Sequence, residues 1–227
     1  MGLSAGALAA YISFAERGWL NPGAAIFDLG AQQLASDINA NIINRFVGAF
    51  GGMPYSEDKT PKPGDFAGHL FERAGFSYAS TDIQPLPFVI PLDLNLSGLP
   101  AAHVGRYDFV ANYGTSEHIL NQWNVFKVAH DAAKPGGLMH HSVPMSGQFE
   151  HGIFSYNPKF FWALSEANGY QILSFIGDTG PDETLPDSFL PQINFNAAPH
   201  GSNCTIIVLF RKPDDRPFAG LVDPAFE

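Results

Sequence analysis

Acidic side chains near the ends of short apolar runs are the first candidates for chemistry in this sequence. Asp28 lies in the run 24–29, which Gly30 follows directly, while Asp82 and Asp93 lie near the ends of two later runs. A carboxylate offers two acceptor oxygens, which suit paired hydroxyl groups or an amino group of a ligand. Gly30 allows a close backbone approach that a side chain would block. These residues predict a ligand site if the runs are neighbouring parallel strands.

A second set of side chains has the chemistry of proton transfer. Imidazole titrates near neutral pH, which suits a general base. His118 follows Glu117 after a fourth apolar run, and His151 and Tyr156 follow a fifth. We predict His118 as the first candidate base and His151 and Tyr156 as the next. A structural role for His118 is the alternative, and Glu117 either orients His118 or caps the following helix.

The other histidines do not predict a metal site. His130, Asp131, His140 and His151 are the residues that could contribute, but their spacing matches no common ligand motif. His140 and His141 alternate along a predicted strand, so at most one of them faces a site. We predict that the protein has no metal centre.

Apolar runs alternate with helical patterns, which is typical of an α/β fold. The predicted helices cover 4–17, 32–46, 66–74, 116–133 and 157–170. The predicted strands cover 24–30, 76–83, 88–94, 106–114, 138–144, 171–177 and 204–212. This order predicts an open, mostly parallel, seven-stranded sheet with helices on both faces and an antiparallel strand near the C-terminus. Ligands of such sheets bind beyond the carboxyl ends of the strands.

The remaining segments predict one domain over 1–227 with an N-terminal helix within 1–20. The Gly- and Pro-rich segment 48–65 is interpreted as a flap over the site. The segment 178–203 is interpreted as a lid, a substrate wall or a contact with a second subunit, which would make the protein a homodimer. The link between the second and third strands is too short for a crossover helix, since that needs about a dozen residues.

Composition limits the partners. Twelve basic against 22 acidic residues give a formal charge of −10, which disfavours nucleic acid and anionic membrane surfaces as partners. Cys204 is the only cysteine, so no internal disulfide forms, which fits a cytoplasmic location. No signal peptide or membrane-spanning run is predicted. The flap and the aromatic-rich late segments favour a small-molecule or sugar substrate.

Five motifs in order resemble the class I S-adenosylmethionine-dependent methyltransferase family: FDLG, STDI, PLDLN, YDFVANYGTSEHI and HDAAKPGGLMHHSVP. The resemblance runs from about Ala24 to Lys212. It implies a Rossmann-like fold, S-adenosylmethionine as the cofactor and methyl transfer to an oxygen or nitrogen atom. It also implies that Asp28 supports the loop at Gly30 or meets the cofactor's amino group through water. Asp82 would bind the ribose hydroxyls, and Asp93 the adenine amino group with Leu94 against the ring.

The same resemblance implies that Asn112 and Tyr113 face the methionine part and the methyl group. The chain departs from the family pattern after Gly30, because Gln32 and Leu34 occupy the places of two further glycines. Gln32 either replaces a missing cofactor contact or crowds the pocket. A non-catalytic binding or scaffold protein of the same fold is therefore the alternative function. A nicotinamide-dependent oxidoreductase is disfavoured, since its pyrophosphate needs the missing glycines more.

Overall fold

The strands of this protein form a single seven-stranded sheet. The computed structural model describes residues 2–148, 150–178 and 203–221, so nearly all of the predicted lid at 178–203 lies outside the described residues. The strands are β1 (Ala25–Leu29), β2 (Ser77–Asp82), β3 (Val89–Pro91), β4 (Tyr107–Tyr113), β5 (Ala133–Ser146), β6 (Gln171–Asp178) and β7 (Cys204–Arg211). The helices are α1 (Ala5–Glu16), α2 (Ala40–Ala49), α3 (Ala67–Arg73), α4 (Gln122–Ala132) and α5 (Pro158–Asn168).

The strand order confirms the predicted fold class. The sheet runs β3-β2-β1-β4-β5-β7-β6, and its strands are parallel except for β7, which is antiparallel to both neighbours. The chain leaves β1 toward β2 and later returns to the other side of β1 with β4. The carboxyl edge between β1 and β4 is therefore the switch point at which ligands of such sheets bind.

Two apolar cores cover the two faces of the sheet. Alternate side chains of the central strands enter different cores, as Phe109 and Val110 of β4 do. The first core holds the buried faces of α1, α2 and α3, and the second those of α4 and α5. His140 contacts Phe14 in the first core, whereas His141 contacts the aromatic rings of the second, so the predicted alternation of this pair is confirmed.

The helix predicted over 32–46 is wrong at its start. Gln33 and Leu34 form isolated bridges with Phe66 and Leu3, and α2 begins only at Ala40. Asn39 caps α2 by accepting hydrogen bonds from the backbone amides of Asn41 and Ile42. Leu34 and Ile38, two apolar residues that suggested the longer helix, are buried without being helical. Long-range backbone pairing therefore overrides the local periodicity directly after the loop at Gly30.

The connection between β2 and β3 is the unusual one that the sequence predicts. It consists of residues 83–88 and contains no helix, and β3 is shorter than the predicted strand 88–94. Phe88 ends the connection with φ of +65°, a value that residues other than glycine rarely adopt. Its ring packs against the backbone of Gly68 in α3. This contact fixes the direction in which the chain enters β3.

We expect Gly68→Ala to destabilise the protein by about 1–3 kcal/mol, as overpacking does. A Cβ atom at Gly68 would lie 2.6 Å from Cγ of Phe88, so the ring and the connection behind it must move. Gly48→Ala in α2 is the matched control, because its Cβ would meet no atom within 4 Å. That control should gain up to about 1 kcal/mol from helix propensity. Urea unfolding measures both changes, and equal stability of the two variants would contradict the contact.

Two further segments differ from their predictions. The helix predicted from Ser116 starts instead with a 3₁₀ turn, Ser116–His118, and α4 begins at Gln122 with Asn121 as its cap. The strand predicted over 138–144 begins earlier, at Ala133, and its pairing with β4 shifts register near this start. The early turn places Glu117 and His118 at the end of β4 rather than along a helix.

The segment 48–65 is attached to the helices beside it. Asn44 of α2 exchanges two hydrogen bonds with the backbone of Tyr55, and Arg73 of α3 donates to the carbonyl groups of Met53 and Pro54. These contacts fix the base of the predicted flap. Among the described residues, each helix is too short or too polar to cross a membrane.

Candidate functional site

The register of the strands brings the predicted ligand-binding residues to one edge. Leu29 lies opposite Thr81 across β1 and β2, so Gly30 and Asp82 are at the same level. Asp82 in turn lies opposite Pro91 of β3, two residues before Asp93. On the other side, Asp28 lies opposite Ala111, which places the end of β4 beside the same loop.

The loop after β1 is in direct contact with the loop after β4. Gly30 has φ of +107°, and a Cβ atom there would overlap Oγ1 of Thr115 and lie 3.3 Å from its Cγ2. Glycine is therefore needed here because Thr115 approaches the backbone closely. The sequence analysis had attributed the need for glycine to the cofactor instead. Thr115 was not predicted as a site residue, and no local signal marks it.

Gln32 bridges the same two loops from inside the protein. Its side chain is buried, and its Nε2 donates a 3.2 Å hydrogen bond to the carbonyl oxygen of Tyr113. Its own carbonyl accepts from the amide of Ala67, which holds α3 against the loop. Oε1 of Gln32 is buried without a partner among the described residues. Gln32, which stands where the family pattern has a glycine, thus has an unused acceptor, Oε1, near the switch point between β1 and β4.

Asp28 is a buried acid beneath this loop. It is 1% exposed, and the hydroxyl of Tyr78 donates to its Oδ2 at 2.6 Å, while Oδ1 has no partner among the described residues. Burial raises the pKa of Asp28 from 3.8 to about 7, and the hydrogen bond from Tyr78 partly opposes this. Asp28 therefore changes its charge in the physiological pH range.

Asp82, which ends β2, and Asp93, which follows β3, are half-buried, and each organises its own turn. Asp82 accepts a hydrogen bond from the amide of Gln84 at 3.1 Å, and Asp93 accepts one from the amide of Asn95 at 2.8 Å. Each bond uses Oδ1, which fixes the carboxylate plane at the edge of the sheet. Leu94 is buried directly after Asp93 in the core beneath α4.

Asn112 and Tyr113 at the end of β4 point to opposite faces. Asn112 is fully buried: its Oδ1 accepts from the amide of Ser116, and its Nδ2 donates to Oγ of Ser116 at 2.8 Å and contacts Nδ1 of His141. The Tyr113 hydroxyl bonds to Nδ1 of His140. Both side chains are engaged with the protein, and Asn112 holds the 3₁₀ turn in place.

Glu117, His118 and His151 meet beyond the ends of β4 and β5. Nε2 of His151 lies 3.1 Å from Oε1 of Glu117, and the ring of His118 contacts that of His151 at 5.1 Å between centroids. Glu117 is fully buried, and His118 is exposed. The predicted alternatives for Glu117 are both corrected: it neither caps α4, since Asn121 does so, nor pairs with His118, since it bonds to His151.

Backbone contacts explain why His151 reaches Glu117. The carbonyl of Glu117 accepts hydrogen bonds from the amides of Ile153 and Phe154. Gly152 lies so close that a Cβ atom there would be 2.7 Å from Cγ of Glu117. Gly152 was not singled out from the sequence, because a single glycine does not reveal its partner.

Tyr156 is buried behind this cluster rather than open to it. Its hydroxyl donates to Oε1 of Gln122 at 2.6 Å, and Nε2 of Gln122 donates to the carbonyl of Ser116. Burial raises the pKa of Tyr156, so its hydroxyl keeps its proton. Tyr156 therefore supports the turn 116–118 through Gln122.

Comparison with known proteins defines the fold. No family model and no curated protein matches the chain. It is similar to the structure of a 1,6-didemethyltoxoflavin N1-methyltransferase from Burkholderia thailandensis with bound S-adenosylhomocysteine, with a TM-score of 0.51 and 12% identity over 91% of this chain and 78% of that one. A putative sarcosine dimethylglycine methyltransferase from Galdieria sulphuraria matches with a TM-score of 0.52 and 16% identity, over 92% of this chain and 84% of that one. The chain therefore has the fold of class I S-adenosylmethionine-dependent methyltransferases.

Proposed function

We propose that the protein transfers a methyl group from S-adenosylmethionine to an oxygen or nitrogen atom of a small-molecule or sugar acceptor. The observation that carries this proposal is the alignment of Gly30, Asp82 and Asp93 along one edge of the sheet, beside the switch between β1 and β4. A group of two imidazoles and a carboxylate lies beyond the next strand along that edge. The edge thus brings together carboxylates that suit the polar groups of a nucleoside and imidazoles that suit a proton acceptor.

The side chains at this edge fit the polar groups of the cofactor. Around the ends of β1 and β2, three of the buried oxygens have no partner among the described residues: Oδ1 of Asp28, Oγ1 of Thr81 and Oε1 of Gln32. All three accept hydrogen bonds, and the cofactor carries an ammonium group and ribose hydroxyls that donate them. Burying such oxygens without a partner costs free energy, which a donating ligand recovers.

Each residue has a role in this proposal. Asp82 accepts from the ribose hydroxyls, and Asp93 accepts from the adenine amino group with Leu94 against the ring. Gln32 and Asp28 face the amino group of the methionine part. When bound, S-adenosylmethionine supplies a methyl group on a positively charged sulfonium sulfur. That sulfur is a good leaving group, because it leaves as a neutral thioether.

The acceptor side of the site has its own division of roles. His151, oriented by Glu117, and the exposed His118 are the candidates to accept the proton of the acceptor. Asn112 and Tyr156 are positioning residues, because they hold the turn 116–118 from behind. Holding the acceptor in line with the methyl group supplies much of the acceleration of such a transfer.

Titration calorimetry with S-adenosylhomocysteine tests the proposal. We expect wild-type protein to bind it and Asp82→Ala to weaken binding about tenfold or more, because two hydrogen bonds to a charged acceptor are lost. Asp215→Ala is the matched control and should leave affinity unchanged. Asp215 is exposed and follows β7, whose last residue, Arg211, lies opposite Leu138 near the start of β5, away from the carboxyl edge. Absence of binding at millimolar ligand would overturn the proposal.

The alternative is a non-catalytic protein of the same fold. The contact of Thr115 with Gly30 and the bridge from Gln32 to the end of β4 favour it, because both narrow the cleft between the two loops. This alternative predicts that S-adenosylhomocysteine gives no heat of binding to wild-type protein. It also predicts that Gln32→Ala creates a binding site where the wild type has none.

A further inference from the structure

We propose that Glu117, His118 and His151 form a binding site for a divalent transition-metal ion of the zinc class. Each residue offers one ligand atom, and the three atoms all lie within 4.8 Å of one another. Two imidazoles with one carboxylate are a donor set that zinc uses in proteins when a fourth position is left for another ligand. The group lies at the acceptor end of the sheet edge, where a fourth ligand can enter from the side of the exposed His118.

The spacing of the ligand atoms needs little change to hold an ion. Two ligands bound tetrahedrally to zinc are about 3.3 Å apart, given bonds of about 2.0–2.1 Å. Nε2 of His151 and Oε1 of Glu117 are already 3.1 Å apart. The third ligand, His118, is exposed, so its side chain can turn toward the other two without disturbing the core. A carboxylate and an imidazole are thus set in place, and the movable ligand completes the site.

The buried carboxylate of Glu117 points independently to a bound cation. The side chain is fully buried, and Oε2 has no partner among the described residues. An ionised carboxylate is buried at high cost unless it is paired or binds a metal. Only His151 among the described residues pairs with it, through Oε1. Oε2 thus leaves this buried carboxylate short of compensation, which a cation bound between Glu117 and the two imidazoles would supply.

The surroundings hold this carboxylate rigidly, as a metal site requires. Gly152 packs against Cγ of Glu117, and the amides of Ile153 and Phe154 donate to its carbonyl. On the other side, the Asn112 side chain bonds to the backbone amide and to the hydroxyl of Ser116. The ligands at 117 and 151 therefore stay close despite their separation in sequence. The histidines at 130, 140 and 141 contribute nothing here, since each is buried and bonded elsewhere.

The role of the ion rests on the proposed function. An ion with three protein ligands binds an oxygen of the acceptor at its open position, which favours an acceptor with a hydroxyl or carboxylate group. The ion then orients and polarises that oxygen and lowers the pKa of a hydroxyl bound to it, so the hydroxyl gives its proton to solvent water before the methyl group is transferred. While His118 and His151 hold the ion, neither accepts that proton. Metal binding itself does not depend on methyl transfer or on the cofactor.

Calorimetric titration of the full chain with Zn²⁺, after treatment with a chelator and without cofactor, tests the site. We expect one ion to bind per chain and His118→Ala, His151→Ala and Glu117→Gln each to weaken binding at least about tenfold. Substitution with Co²⁺ should give the intense visible absorption of tetrahedral coordination in wild-type protein and not in His151→Ala. Mg²⁺ should bind far more weakly, since it prefers oxygen ligands.

His69→Ala is the matched control, because His69 lies 3.9 Å from Glu72 in an exposed pair on α3. It should bind Zn²⁺ as the wild type does. His118→Ala keeps the test decisive if Glu117→Gln unfolds, since His118 is exposed; thermal melting without metal checks each fold. Unchanged Zn²⁺ binding in His118→Ala and His151→Ala, or no binding in the wild type, overturns the site. Either result leaves the affinity for S-adenosylhomocysteine as a separate measurement.

Discussion

Asp28→Asn is expected to remove a pH dependence of stability worth about 4 kcal/mol between pH 4 and pH 8. The pKa of Asp28 rises from 3.8 in the unfolded chain to about 7 in the folded protein, because the group is buried. Each unit of such a shift corresponds to about 1.4 kcal/mol. Asparagine has nearly the same shape and still accepts the hydrogen bond from Tyr78, but it does not titrate.

The sign follows from which state binds the proton more tightly. The folded protein holds the proton of Asp28 above pH 3.8, whereas the unfolded chain releases it. The contribution of neutral Asp28 is therefore fully present below pH 3.8 and is lost as the pH rises toward about 7. Above that pH both states are ionised, and the buried charge keeps its full cost. The free energy of unfolding of the wild type should therefore fall relative to that of Asp28→Asn between pH 3.8 and about 7. Above this window the two curves of stability against pH should be parallel.

Urea unfolding of both proteins at pH 5, 6, 7 and 8 measures the difference. The tyrosine beside the acid supplies a second check, because its hydrogen bond lowers the pKa of Asp28. Tyr78→Phe should therefore extend the window of falling stability to higher pH. If the wild-type and Asp28→Asn curves are parallel from pH 5 to pH 8, Asp28 is not titrating as its burial requires.

The sheet was predictable from the sequence because its signals are local. Each strand is a short apolar run, and the lack of a helical pattern between the last two runs predicts the antiparallel β7. Asp82 and Asp93 lie at strand ends, so the parallel sheet brings them to one edge without any further information. For residues at the ends of neighbouring parallel strands, the place in the sequence is enough to predict the place in the fold.

The interior of the site was not predictable in the same way, since its contacts join distant segments. Glu117 pairs with His151 because the backbone after His151 bonds to the carbonyl of Glu117. No periodicity records such a contact. The pairing also decides which chemistry can be proposed. A carboxylate beside an isolated histidine suggests a helix cap or an orienting group, whereas a carboxylate close to two histidines can offer a set of metal ligands.

The loop after β1 shows the same limit for a single glycine. The motif suggests that Gly30 makes room for a cofactor, yet the atoms nearest to a Cβ at this position belong to Thr115. Thr115 comes from the loop after β4, so the two loops of the switch point define each other's conformation. Thr115 is distant from Gly30 in the sequence, so the motif alone could not predict this contact.

Gly30→Ala is therefore expected to cost about 2–6 kcal/mol of stability. At φ of +107° any residue other than glycine is strained, which costs about 1–3 kcal/mol. The new Cβ also overlaps Oγ1 of Thr115, which adds about 1–3 kcal/mol of overpacking. Because the same displacement moves the loops at the edge of the sheet, the affinity for S-adenosylhomocysteine should fall with the stability.

A double-mutant cycle with Thr115→Ala separates the two costs. Removing the hydroxyl and methyl groups of Thr115 relieves the overlap but leaves the backbone strain, so the double variant should recover about 1–3 kcal/mol relative to Gly30→Ala alone. Alanine at 115 in the wild-type background should be nearly neutral, since the residue is only half-buried. Urea unfolding of the four proteins gives the coupling energy directly. Purely additive changes would mean that Thr115 does not confine Gly30, and the full cost would then belong to the backbone conformation.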